Sequence, residues 1–216
     1  PWPNNLVGRL GWYRQGLSEV ERYRSYIQTM GTTEAPAILV AAAIANQGNR
    51  PQRPFGWDGF ERLQAWLGRR FEWQLAAWSW AKAQWDDFFE APSVGIGQIQ
   101  PDEARRLVYA GDRMNLFNDH ASIGLMQAKL QNAYQLFTAL DLNQTELFAL
   151  LALSNNDNSD GVGVLNLFQR FNYDLPLLLS YDSASRIQLA RMMTYIDYLH
   201  EQDCWELPNG VNTEYL

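Results

Sequence analysis

Residues 41–48 read Ala41-Ala42-Ala43-Ile44-Ala45-Asn46-Gln47-Gly48, a run of small side chains that ends on an amide and a glycine. Thr33, with Pro36 in the first turn, opens a helix that runs into this stretch, and Gly48 stops it after Gln47. The alanine face lets a neighbouring helix approach closely, so the segment is expected to be buried. The sequence thereby sets the Gln47 side chain, next to Asn46, at the end of a core helix.

The second informative stretch is Ser93-Val94-Gly95-Ile96-Gly97-Gln98-Ile99-Gln100-Pro101. Glycine at alternate places and low helix propensity make it a tight loop or a short strand turn. Pro101 then suits a first helical position, with Asp102 and Glu103 favourable at the positive end of the helix that follows.

Outward from these, the chain reads helical almost throughout. Ser18 and Glu21 have the spacing of a capping box, opening a helix that runs to Met30 with Gly31 as a left-handed stop. Residues 48–56 form a loop by composition, and a small hairpin fits there or near 93–99. Asp58 and Glu61 pair as a further cap. A pattern studded with Trp66, Trp73, Trp80 and Phe88 continues from there to about Phe89, as one helix or two joined near Gly68. Helices are expected at about 118–140 with Asn118 or Asp119 as cap, at 144–155 capped by Asn143 and Glu146, at 161–171, and at 183–203. A short turn is expected near 175–180.

The 216 residues are 47% hydrophobic and 19% charged, a balance that folds and can bury a sizeable core. One domain is the default at this length. The net charge of −7 argues against nucleic acid and anionic membrane surfaces, which attract basic faces. No apolar run approaches the ~20 residues of a membrane span. Cys204 is the single cysteine, which leaves no internal disulfide and no cysteine-based metal site; no cofactor is implied. The chain opens on Pro1-Trp2-Pro3 with neither Met nor a signal pattern, as a trimmed, processed or excised chain would.

The stretch around Gln98 resembles the Gly-Leu-Met-Gln-Ile-x-Pro turn of soluble lytic transglycosylases and goose-type lysozymes. The stretch ending at Gln47-Gly48 resembles the end of the helix that delivers the catalytic Glu in those families. The resemblance spans about residues 36–200. It implies a mostly α-helical, lysozyme-like fold, with residues 1–34 as an N-terminal helical extension and the Trp-rich segment 51–92 as an insertion. It also implies a peptidoglycan-cleaving enzyme, a muramidase or a transglycosylase, acting on the β-1,4 bond between N-acetylmuramic acid and N-acetylglucosamine. The partner would be glycan strands and the compartment periplasmic or extracellular. An antibacterial effector, with an immunity protein or a delivery system as a further partner, is a setting such an activity would suit.

The same resemblance distributes roles. Gln47 stands where the family has its acid. An amide keeps the shape of a carboxyl and still donates a hydrogen bond, but it transfers no proton at neutral pH. The chain as it stands is therefore expected to bind glycan and to turn it over poorly or not at all. Two origins fit: a laboratory replacement of Glu, or a natural non-catalytic glycan-binding relative. Gly95, Ile96, Gln98 and Ile99 would line the groove floor, where Gly97 replaces the usual Met. Asn155 would meet the 2-acetamido group within Ala152-Leu153-Ser154-Asn155-Asn156-Asp157, where Ser154 replaces a Tyr and Asp157 a Gly. Tyr195 stands at the last family position, on the final helix. Trp57 and Trp85, near the ends of the insertion, are candidates to stack on sugar rings. Glu90, shortly before the turn, is the candidate second carboxylate of a hydrolysing mechanism.

Overall fold

The computed structural model describes residues 13–47, 99, 104, 106–107, 118–155, 161–202 and 204–213. Eight helices occur among the described residues: α1 Tyr13–Arg22, α2 Arg24–Met30, α3 Ala37–Gln47, α4 Asp119–Phe137, α5 Gln144–Leu153, α6 Gly161–Arg170, α7 Leu175–Tyr181 and α8 Ser183–His200. The only departure from helix and loop among them is an isolated β-bridge at Ile99. The fold is mostly α, as the propensities and cap signals imply.

The chain divides into two compact units. The first comprises residues 1–49 and 126–216, and the second residues 50–125. The Trp-rich segment 51–92 falls in the second unit and outside the described residues.

In the first unit α3 is the centre. Residues 38–45 are buried around the whole circumference of the helix, and α1, α2, α5 and α8 all pack on it. A helix that is apolar on every side belongs inside a core, and the alanines explain how four partners crowd one short helix. The chain doubles back on itself to build this. It runs out along α1 and α2, turns through residues 31–36 and returns along α3. Two glycines let the arms touch. A methyl at Gly31 would lie 2.7 Å from the Ala37 Cβ, and one at Gly16 would overlap the Ala45 carbonyl and lie 2.9 Å from the Ala45 Cα.

This arrangement corrects three readings of the N-terminal region. Ser18 and Glu21 do not open a helix. α1 already includes Tyr13, so Ser18 lies within it. Glu21 instead pairs with Arg24, and Glu19 with Arg22 at 3.2 Å. Gly31 is not left-handed: its φ of −57° and ψ of 137° are open to any residue. Glycine is required there by the contact with Ala37. The hydroxyl that orders the turn before α3 belongs to Thr32, not Thr33; its Oγ1 accepts from the Ala35 N–H at 3.0 Å. Pro36 then supplies the carbonyl that receives the Leu39 and Val40 N–H groups.

Elsewhere the caps fall where side-chain chemistry puts them. Asn143 and Glu146 form a complete capping box on α5. Asn118 caps α4, accepting from Ala121 N–H at 3.1 Å. Asp174 and Asp182 cap α7 and α8, each accepting a backbone N–H at 2.8 Å. Between α6 and α7 the chain turns through Asn172 and Tyr173, both with positive φ, while the Tyr173 ring meets Phe168 edge-on at 5.6 Å.

After α8, residues 204–213 run back over the first unit. Gln28 donates to the Cys204 carbonyl at 2.6 Å, Trp205 is buried beyond it, and the Asn212 N–H reaches the Thr145 hydroxyl at 3.0 Å. Hydrogen bonds thus tie the end of the chain to α2 and to the first turn of α5.

In the second unit, Ile99 is buried, and so are Ala104, Ile123 and Leu125.

Candidate functional site

The last turn of α3 brings Gln47 to the segment that follows α5. Its Nε2 donates to the main-chain carbonyl of Asn155 at 3.4 Å, joining positions 108 residues apart. The local reasons are plain. α3 keeps its helical register toward Gln47 because its neighbours enclose residues 38–45. α5 ends at Leu153, and the Ser154 hydroxyl turns back to the Leu151 carbonyl at 2.8 Å, leaving Asn155 as the first residue whose polar groups are not absorbed by the helix.

The two side chains sit in different states. Gln47 is 8% exposed and hydrogen-bonded. Asn155 is 1% exposed, and neither its Oδ1 nor its Nδ2 has a hydrogen-bond partner. Nearly all buried polar groups in folded proteins are paired, because leaving one unpaired costs on the order of 1–3 kcal/mol. Gln188 Nε2 and Trp205 Nε1 are likewise buried without a partner, but Asn155 leaves both a donor and an acceptor unused. It would be satisfied by a ligand group or a water that offers a donor and an acceptor together. The chain runs from both residues into segments outside the described ones, 48–98 and 156–160.

Tyr195 lies on α8 and is wholly enclosed. α3, α5 and α8 pack pairwise on one another, so the elements carrying Gln47, Asn155 and Tyr195 form one cluster. Ile99 is buried in its bridge in the second unit. Trp57, Trp85, Glu90, Gly95, Ile96 and Gln98 lie outside the described residues. The Ser154 hydroxyl donates back to the Leu151 carbonyl of the same helix.

Gly16, which has no part in the sequence reading, packs from within α1 against Ala45 of α3. Its signal is a lone glycine inside a helix, where it costs helix stability; a helix start at Ser18 leaves Gly16 outside the helix and hides that signal.

Away from this site, Asp197 on α8 has its pKa raised from the ordinary 3.8. Burial is the main cause and the nearby Glu201 adds to it, while His200 pulls the other way. Among the described residues, no group of three or more His, Cys, Asp or Glu side chains is placed to hold a metal ion, and no helix is long and apolar enough to cross a membrane.

Comparison of the chain with family models, with curated proteins and with solved structures gives no match.

Proposed function

We propose that this chain is a peptidoglycan-recognising, lysozyme-like protein in which Gln47 occupies the place of the general acid. In this form it holds glycan strands but cleaves them poorly or not at all. The observation that carries the reading is Asn155: a buried amide with both polar atoms unspent, whose main chain receives the Gln47 amide. An N-acetyl group, with one N–H and one carbonyl, would match the unspent pair.

The chemistry of position 47 supports the same reading. A carboxyl in this buried place would be desolvated, which favours its protonated form. It would also face a main-chain carbonyl, which only the protonated form can bond. Both influences hold a Glu in the state a general acid needs. The amide keeps that hydrogen bond at every pH and gives up no proton.

The test is Gln47→Glu incubated with purified sacculi, read as soluble muropeptides by mass spectrometry. The variant is expected to release them at least ~10²-fold faster than the parent, the lower end of what a general acid contributes. Products with 1,6-anhydro ends would assign transglycosylation, and reducing ends hydrolysis. A silent variant of a chain that still binds sacculi would leave a glycan-binding module. Absence of binding by either form would end the glycan reading.

A further inference from the structure

We infer that Gly16 is a positioning residue for the Gln47 amide, with α1 acting as the buttress that sets the end of α3. Three observations lead there. First, α1 meets α3 backbone to backbone at the Gly16–Ala45 contact, where there is no room for even a methyl group. Second, Ala45 lies in the last turn of α3, two residues before Gln47, within the run 38–45 that α1, α2, α5 and α8 enclose. A push delivered at Ala45 is therefore applied next to the end of the helix that carries Gln47. Third, the Gln47–Asn155 hydrogen bond is 3.4 Å long, near the limit at which such a contact counts as a bond. A displacement of the α3 end weakens it further.

The N-terminal helix is thus more than an appendage to the core. It fixes how far the α3 end reaches toward the α5 end. The glycan part of this inference rests on the function proposed above; the geometric part does not.

The experiment compares Gly16→Ala with Gly161→Ala in the full chain. Gly161 is also a close contact, though less severe than Gly16: a methyl there would lie 2.9 Å from the Ala133 Cα, and the contact joins α6 to α4. Two readouts are taken. One is the side-chain amide resonance of Gln47 in a ¹⁵N-labelled sample, assigned by its loss in Gln47→Glu. The other is the Kd for chitohexaose, the N-acetylglucosamine hexamer.

Gly16→Ala is expected to shift the Gln47 resonance and to raise the Kd by about tenfold, the effect of losing one polar contact. Gly161→Ala is expected to lower Tm and leave both readouts in place. An unchanged Gln47 resonance in Gly16→Ala would overturn the inference, as would an equal shift in Gly161→Ala. If Gly16→Ala fails to fold, Val20→Ala replaces it. That change thins the α1 core without a clash, and the same two outcomes decide. If the parent itself does not bind chitohexaose, the proposed function falls, and the Gln47 resonance alone decides the positioning role.

Discussion

The two ends of α5 are built from the same residue type and put it to opposite uses. At the start, Asn143 accepts the Glu146 N–H at 2.9 Å while its own N–H goes to the Glu146 carboxylate at 3.1 Å, all at the surface. The side-chain oxygen, the backbone N–H and the carbonyl of Asn143 are all spent on the helix. At the other end, Asn155 is buried with both side-chain polar atoms unspent, and only its main-chain carbonyl is engaged, by Gln47. One asparagine stabilises the fold; the other is tolerated by it.

The largest expected effect comes from removing that polarity. Asn155→Leu should weaken chitohexaose binding by tenfold or more and, against the usual direction of core substitutions, raise stability by ~1 kcal/mol, because an unpaired buried amide is replaced by an apolar group of similar size. Calorimetric titration and urea unfolding read the two changes; a loss of stability would mean that Asn155 is a structural residue after all. Asn143→Ala is the mirror image. It should cost about 1 kcal/mol through loss of the cap and leave glycan affinity alone.

Ser154→Ala separates Asn155 from its neighbour. The hydroxyl bonds only within α5, so the change should cost less than ~1 kcal/mol and leave the Kd unaltered. A large affinity loss there would move the site one residue back.

The smallest effect lies away from both ends, at Asp197. Its carboxyl holds a proton to higher pH in the folded chain than in the unfolded one. The native state therefore loses stability as pH rises from the ordinary 3.8 through the raised value. Asp197→Asn should flatten that slope and be the more stable form at pH 7, as unfolding curves across pH 3–7 would show. A steeper decline in the variant would contradict the burial argument.

How much of this was legible in the sequence depended on whether the signal was local. The α5 box was readable because Asn143 and Glu146 make both halves of it within one turn. The burial of α3 was readable from its alanines. The α1 start was not, because Ser18 and Glu21 have a capping spacing by coincidence of surface polarity inside a longer helix. Gly31 was misassigned for a related reason: a glycine after a helix suggests positive φ, while the actual constraint comes from Ala37 across the turn. Gln47 and Asn155 were picked out through a family resemblance. That they touch, and that the Asn155 amide is unspent, emerges only from the packing of α3 against α5.

The most direct measurement is a chitohexaose titration of the ¹⁵N-labelled chain, following the side-chain amides of Gln47, Asn155 and Asn143. Saturable movement of the Gln47 and Asn155 resonances with Asn143 still is the predicted result. If all three stay in place at saturating sugar, or only surface resonances move, the end of α5 is not a glycan site.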